Sequence, residues 1–195
     1  MSDTLKLKII LGSVREGRFS EKVATWVVEQ VKKHGGFDAE VIDLREYEMP
    51  YFDQKATPSS KVEPYTNEAV ARWTEKIVEA DAFLFIMPEY NRSVPGVLKN
   101  ALDWVYPEWN KKVAGFVGYG SVGGARAIEH ARTIAVEQQM ATVRQAINIF
   151  AHWNFQDERG DVKPGALNEF ERGAGTMLEQ LFWWASALKA ARMSA

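Results

Sequence analysis

The most restrictive feature of this chain is an apolar run, AFLFIM at positions 82–87, which is followed by Pro88. A strand with one face in water alternates apolar and polar residues, whereas this run has no polar position. Such a strand is covered on both faces, as in a parallel sheet that has helices on either side. The run therefore predicts a buried central strand in a layered α/β fold.

Strand and helix patterns alternate along the rest of the chain. Apolar runs predict five strands, at positions 5–11, 39–44, 82–87, 113–119 and 143–149. Apolar stripes at helical spacing predict helices at positions 20–33, 67–80, 95–104, 123–139 and 168–192. This order predicts a doubly wound, five-stranded parallel sheet with helices on both faces. We expect one domain over residues 1–195, with a C-terminal helical extension from about residue 165.

Composition excludes several classes of function. The formal net charge of −2 gives no electrostatic case for binding nucleic acid or an anionic membrane surface. The chain has no cysteine, which excludes disulfide and thiolate chemistry and fits a reducing compartment. No segment approaches the roughly 20 apolar residues of a membrane span, and the first apolar run is too short for a signal peptide. We therefore expect a cytoplasmic protein.

Three unusual loops follow the ends of predicted strands. They are GSVREGRFS at positions 12–20, PEYNRSVPG at 88–96 and GYGSVGG at 118–124. Ligands of doubly wound sheets bind outside the carboxyl ends of the strands, at the point where the strand order reverses. The three loops therefore predict a single binding site at that edge of the sheet.

The loop at positions 12–20 has the composition of an anion site. Gly12 allows a tight turn, Ser13 and Ser20 offer hydroxyl groups, and Arg15 and Arg18 carry permanent charges suited to phosphate oxygens. The loop matches neither the dinucleotide fingerprint G-x-G-x-x-G nor the triphosphate loop G-x-x-x-x-G-K-[ST]. Two arginines suggest a terminal phosphate monoester; the alternative is that Ser20 is a plain N-cap beside two solvated arginines.

The segment PEYNRSVPGVLKNALDW at positions 88–104 resembles a motif of the NADPH-dependent FMN reductase family. That family has a flavodoxin-like fold and includes quinone, azo-dye and chromate reductases. Its members carry G-S-x-R-x-x-S after the first strand, and this chain has GSVREGR at 12–18, with Arg18 where the family usually has serine. The resemblance covers about positions 5–149. It implies FMN as cofactor, NADPH or NADH as co-substrate, and ping-pong hydride transfer to a small acceptor such as a quinone, flavin or azo compound.

The resemblance also implies which residues bind FMN. No catalytic residue is implied, because the flavin carries the chemistry. The first loop would bind the phosphate, the second would run beside the ring and the ribityl chain, and the third would approach the other edge of the ring. Arg92, where a small residue is common, could tune the binding of the acceptor or the nicotinamide. The residues assigned to the cofactor are Ser13, Arg15, Arg18, Phe19, Ser20, Pro88, Glu89, Tyr90, Asn91, Tyr119, Gly120, Ser121, Gly123 and Gly124.

The resemblance further implies a homodimer or homotetramer. The helix after PEYN would pack on its copy through Lys99, Asp103 and Trp104, and the long loop at 45–66 would help to shape the pocket. Trp109, Trp183 and Trp184 would also suit aromatic contacts between subunits. The alternative for Lys99 and Asp103 is an ordinary surface pair four residues apart on a helix. For the C-terminal helix, simple packing on the sheet is favoured.

Other chemistries fit the residues less well. GYGSVGG has Tyr119 where the nucleophile motif G-x-S-x-G around Ser121 needs glycine, which disfavours a serine hydrolase with His152 as base. His34, His130 and His152 are too scattered to predict a metal site. One alternative stays open, an electron-carrier protein like flavodoxin that is reduced by a protein partner, although the small net charge argues against a strongly basic partner.

Overall fold

The computed structural model of the protein describes residues 4–60 and 65–194. Positions 61–64 of the predicted loop at 45–66 lie outside the described residues, as do both ends of the expected domain. The strands are β1 (Leu5–Leu11), β2 (Phe37–Asp43), β3 (Ala82–Pro88), β4 (Val113–Gly120), β5 (Ala141–Thr142) and β6 (Ile147–Phe150). The α-helices are α1 (Ser20–His34), α2 (Glu68–Glu79), α3 (Gly96–Asp103), α4 (Ala125–Glu137) and α5 (Glu171–Met193).

All of these strands pair in parallel in one sheet. Its order is β2-β1-β3-β4-β5, and β6 continues the position of β5 beside β4. The order reverses between β1 and β3, so the switch point lies where these two strands end. Every residue of β3 is buried, as the apolar run predicted. The doubly wound, flavodoxin-like fold is therefore confirmed.

The last predicted strand is wrong in one respect, because it is not continuous. β5 pairs with the start of β4, and β6 pairs with its end. Between them, the Arg132 guanidinium donates hydrogen bonds to the carbonyls of Val143 and Arg144, at 2.6 and 3.0 Å. The backbone amide of Gln145 donates a hydrogen bond to the side-chain oxygen of Gln180 at 3.2 Å. Side chains thus replace the ladder partners of positions 143–145, a substitution that apolar periodicity cannot reveal.

Helices cover both faces of the sheet. On one face, α1 and α5 enclose a core that contains Val23, Val27, Met177 and Leu181. On the other face, α2, α3 and α4 enclose a second core around Trp73 and other aromatic rings. The C-terminal helix therefore packs on the sheet, as favoured by its sequence. In the described part of the chain, no helix is long and apolar enough to cross a membrane.

Two of the tryptophans expected at a subunit interface are core residues instead. Trp109 is fully buried, and its ring packs edge-to-face on Trp73 at 5.8 Å. Trp104 is 3% exposed, and its indole N–H donates to the Pro50 carbonyl at 2.7 Å. Trp104 therefore anchors the connection after β2 onto α3 and has little surface for a partner. Trp183 and Trp184, in contrast, are exposed on α5.

A close approach of the β4 and α4 backbones depends on Gly118. A Cβ atom at Gly118 would lie 2.8 Å from the Gly123 carbonyl oxygen and 2.9 Å from Ile128. We expect Gly118→Ala to lower the free energy of unfolding by about 2 kcal/mol, because a backbone oxygen cannot move aside as a flexible side chain can. Urea denaturation followed by circular dichroism would measure this change.

The matched control is Gly175→Ala in α5. Among the residues that the structure describes, a Cβ atom there would meet no atom within 4 Å outside its own helix neighbourhood. The same substitution should therefore stabilise the protein, by about 0.5–1 kcal/mol, through helix propensity alone. Equal effects at the two positions would contradict the assignment of Gly118 to a close backbone contact.

Candidate functional site

The structure brings together the three loops that follow β1, β3 and β4. The Gly12 amide donates to the Ile86 carbonyl at 2.8 Å, and the Glu89 amide donates to the Tyr119 carbonyl at 3.2 Å. The hydroxyl groups of Ser13 and Tyr90 lie 3.0 Å apart within hydrogen-bonding distance. The loops thus form one crevice at the carboxyl edge of the sheet, across the switch point.

The start of α1 presents features of an anion site. Ser20 is its first residue and is fully buried. Its hydroxyl lies beside the Tyr119 phenol, but no group in the described part of the chain meets the distance and angle of a hydrogen bond to it. Buried hydroxyl groups are normally paired, so an unpaired one at a helix N-terminus fits an anionic ligand.

The two arginines of the first loop have different environments. Arg15 is exposed, and its guanidinium has no hydrogen bond or ion pair with another described residue. Arg18 is 1% exposed, and its guanidinium donates to both oxygens of Asp43, to Glu21 and to the Ser13 carbonyl. The prediction that Arg18 contacts a phosphate is therefore corrected, because all of its guanidinium donors are already used inside the protein.

Asp43, at the end of β2, holds the other side of this network. Burial by itself would raise the pKa of the Asp43 carboxyl, but the hydrogen bonds from Arg18 and from the Arg45 amide outweigh it and hold the pKa below its usual value. The carboxylate therefore stays ionised at neutral pH, and its stabilising effect is lost only as the pH falls through the acidic range. Sequence analysis missed Asp43; its position at the end of a strand beside β1 was the available signal.

The second loop is a tight turn joined to α4. Tyr90 and Ser93 exchange backbone hydrogen bonds of 3.1 and 3.0 Å. Between them, Asn91 and Arg92 have φ values of 48° and 70°, the left-handed pair of a type I′ turn. A positive φ is unusual for arginine, so the backbone here is held in place by its surroundings. The turn begins one residue after β3, beyond Glu89, and presents Tyr90, which is partly exposed, to the crevice.

The Glu89 carboxylate is used in hydrogen bonds within the protein. Its side chain is 8% exposed, and the carboxylate accepts hydrogen bonds from the Arg126 amide, at 3.0 Å, and from the Arg126 guanidinium. The acceptor thus lies at the N-terminus of α4, where a negative charge is favoured by the helix dipole. Glu89 ties the second loop to the third, and only its backbone is left for a ligand.

The third loop closes tightly before α4. Gly124 precedes the helix with φ 68°, and a Cβ atom there would lie 2.7 Å from the Tyr119 amide nitrogen. Gly120 and Gly123 also have positive φ values, of 145° and 65°, and Ser121 is exposed between them. The predicted helix at 123–139 therefore begins two residues later, since the left-handed glycines are not part of it.

An aromatic cluster forms one wall beside the first and third loops. The ring centroids of Phe19 and Tyr119 lie 5.4 Å apart, and the His152 ring lies 4.9 Å from Phe19 and 5.2 Å from Tyr119. Burial raises the pKa of Tyr119 to about 12, so its phenol is neutral at physiological pH. Burial and the nearby Arg15 charge lower the pKa of His152. Sequence analysis did not place His152 here, although it follows the last strand.

The other two histidines lie elsewhere. The His34 ring packs against Phe37 and Phe182 beside the last turn of α1. His130 on α4 shares a hydrogen bond of 2.9 Å with Ser93. The three rings are thus held by different parts of the fold, and they do not converge.

Comparison with known proteins shows which family the chain resembles. The sequence profile of the NADPH-dependent FMN reductase family matches residues 5–154. An NAD(P)H-dependent FMN reductase of Schizosaccharomyces pombe is 39% identical over 132 residues, which cover 68% of this chain and 66% of that protein. A 2-hydroxy-1,4-benzoquinone reductase of a Burkholderia species is 30% identical over 175 residues, which cover 86% of this chain and 88% of that protein.

A solved structure supports the fold. It is FerB, a flavoenzyme NAD(P)H:(acceptor) oxidoreductase from Paracoccus denitrificans, with a TM-score of 0.73 and 22% sequence identity. The superposition covers 94% of this chain and 98% of that chain, so it includes the strands that carry the three loops. Fold, loop sequences and profile match agree, and the chain belongs to the NADPH-dependent FMN reductase family.

Proposed function

We propose that the protein is an FMN-dependent NAD(P)H oxidoreductase that reduces a small acceptor such as a quinone, a flavin or an azo compound. The observation that carries this proposal is the crevice of three loops, where neither the buried Ser20 hydroxyl nor the exposed Arg15 guanidinium has a hydrogen-bond partner among residues 4–60 and 65–194. The names of the relatives support the reaction class. The absence of cysteine from all 195 residues is the ground for proposing a cytoplasmic reaction.

The residues of the crevice fit FMN in type and arrangement. Ser13, Arg15 and Ser20 would hold the phosphate with hydroxyl groups, a guanidinium and the amides before α1. The second loop would contribute Pro88, Tyr90 and Asn91, and the backbone of Glu89. The third loop would contribute Gly120, Ser121, Gly123 and Gly124. Phe19 and Tyr119 are almost fully buried and pack on each other at 5.4 Å, so they would support the apolar side of the crevice on which a flat ring rests.

The flavin supplies the hydride and electron transfer when it is bound, so the protein needs no acid or base of its own. The chain's residues orient the cofactor and set the local potential. The N-terminus of α4 lies at the third loop, and its partial positive charge favours negative charge on a nearby ring. Tyr119 is protonated at neutral pH, as an ordinary phenol is, and burial raises its pKa further, so it brings no negative charge to the crevice.

An electron carrier like flavodoxin is the less favoured alternative. Such a protein docks on a redox partner through strong charge complementarity, and the formal net charge here is only −2. Direct reduction by a nicotinamide separates the two functions.

The first test is the visible spectrum of the protein with FMN, before and after NADPH or NADH is added without oxygen. We expect the protein to bind FMN and the flavin absorbance to bleach, followed by recovery when a benzoquinone is added.

Arg15→Met is the matched variant, since Arg15 is exposed and its loss should not disturb folding. It should weaken the binding of FMN about tenfold. The binding of riboflavin, which lacks the phosphate, should stay nearly unchanged. A wild-type protein that binds no flavin would overturn the proposed function.

The link between the second and third loops is tested by Glu89→Gln. We expect the free energy of unfolding to fall by about 1–2 kcal/mol, because a buried charge-assisted pair becomes neutral on one side. Affinity for FMN should fall with it, since the contact that joins the turn after β3 to α4 is weakened. The control is Glu129→Gln, because Glu129 is 77% exposed and lies 3.9 Å from Arg132. That change should alter stability by less than about 0.5 kcal/mol, and a larger effect there than at Glu89 would contradict the assignment.

We further propose that the protein assembles as a homodimer through the face between α3 and α4. Two adjoining cavities of about 500 and 460 Å³ open there, and both are lined by Lys99, Thr133 and Ile134. Lys99 and Asp103 form a half-exposed pair with distances of 2.8 and 2.6 Å at the same place. A groove of this size beside α3 supports the expected role of Lys99 and Asp103, while the burial of Trp104 leaves it a structural role.

Light scattering after size exclusion tests this assembly. Thr133→Arg adds a charged bulk to the groove, and we expect it to shift the dimer toward the monomer mass. Thr176→Arg on α5 is the control, since both threonines are exposed and both bond the carbonyl four residues earlier at 3.1 Å. A wild-type monomer, or equal masses for the wild type and the Thr133 variant, would contradict the proposed interface.

A further inference from the structure

Three consecutive carbonyls of the first loop point at arginine side chains. The Ser13 carbonyl accepts a hydrogen bond from Arg18 Nη1. The carbonyls of Val14 and Arg15 accept hydrogen bonds from Arg45 Nε and Nη2, at 3.2 and 2.7 Å. Two side chains thus fix three successive peptide units of the loop.

This arrangement also fixes the direction of the loop amides. A trans peptide unit is planar, and its C=O and N–H groups point in opposite directions. Because the carbonyls of residues 13, 14 and 15 point at the arginines, the amides of Val14, Arg15 and Glu16 point away from them. The Arg15 amide makes one long hydrogen bond, of 3.4 Å, to the Ser13 hydroxyl. Successive amides that face the same concavity form an anion-binding nest.

The arginines are themselves held by two carboxylates. The Asp43 carboxylate accepts hydrogen bonds from both terminal nitrogens of Arg18. It also accepts one from the backbone amide of Arg45, at 2.9 Å. Glu21 accepts from Arg18 at 3.0 and 2.8 Å and from Arg45 at 3.1 Å. Two positive and two negative charges balance, so this network adds little net charge to the crevice. Its effect on a ligand is therefore one of orientation, and the charge comes from Arg15.

We propose that Arg18 and Arg45 are positioning residues that hold the amides of residues 14–16 toward the phosphate of FMN. This proposal rests on the proposed function, since it assigns the phosphate to this loop. It gives Arg18 a role without contact to the cofactor, and it assigns a role to Arg45, which lies just after β2 and outside the loop. The end of β2 thereby contributes to a site built on β1, β3 and β4.

The test compares the dissociation constants of FMN and riboflavin, measured by the change in flavin fluorescence on binding. Arg45→Met should weaken the binding of FMN about tenfold, as expected for two lost hydrogen bonds from a charged group. It should weaken the binding of riboflavin less than about twofold. Arg45 is 39% exposed in its side chain, so the variant should fold. Arg45→Lys should give an intermediate loss, because one ammonium group cannot span both carbonyls as the guanidinium does.

Arg72→Met is the matched control. Arg72 is an exposed arginine that bonds the Glu46 carbonyl at 3.1 Å and does not contact the loop. It should leave both dissociation constants unchanged. A merely structural role for Arg45 would lower the melting temperature and weaken both flavins alike, and that result would overturn the proposal.

Asp43→Asn separates positioning from direct contact at Arg18. If Arg18 bound the phosphate, release from the Asp43 carboxylate would free a positive charge and strengthen FMN binding. Positioning predicts the opposite, a selective loss of FMN affinity like that of Arg45→Met. Stronger FMN binding by Asp43→Asn, or an unchanged preference for FMN over riboflavin in Arg45→Met, would overturn this proposal alone. A wild-type protein that binds FMN no better than riboflavin would instead overturn the phosphate site of the proposed function, and this proposal with it.

Discussion

Burial of β3 on both faces is the constraint on which the rest of the structure depends. A strand whose residues are all buried must have paired strands on both edges and helices over both faces. β1 and β4 supply the edges, and two separate apolar cores supply the cover. The carboxyl ends of β1, β3 and β4 then lie side by side, so the strand order alone brings together the loops that follow them.

A second polar network lies away from the carboxyl edge and holds helices against the sheet. Asp81, just before β3, accepts hydrogen bonds from Lys189 and Arg192 of α5, at 3.0 and 2.7 Å, and from the Lys6 amide at 3.1 Å. The nearly buried Lys8 on β1 pairs with Glu40 and Glu79. Because buried charges are costly unless paired, these contacts fix α5 and α2 against the sheet. Within the described residues, the carboxyl edge, in contrast, keeps polar groups without a hydrogen-bond partner, such as the Ser20 hydroxyl. This is the expected asymmetry between a structural edge and a binding edge.

The candidate site divides its charged residues between support and binding. Arg18, Asp43, Glu21 and Arg45 are joined under the first loop, and Glu89 and Arg126 join the second and third loops. Arg15 stays exposed. A preorganised site needs this division, since a loop that presents backbone amides to a ligand gains affinity when its conformation is fixed beforehand. The type I′ turn at Asn91 and Arg92 has the same character, because its backbone is set before any ligand is present.

The sequence by itself determined the layered fold, the central strand and the three loops of the site. These follow from apolar periodicity and from short motifs, which are local properties of the chain. Only the tertiary structure decided that the last strand is divided, that Trp104 is buried, and which partner each charge has. Arg18 pairs with Asp43 across 25 positions, and Glu89 pairs with Arg126 across 37. The physical reason is that a guanidinium suits a carboxylate as well as a phosphate, so its partner depends on which strand ends are neighbours in space.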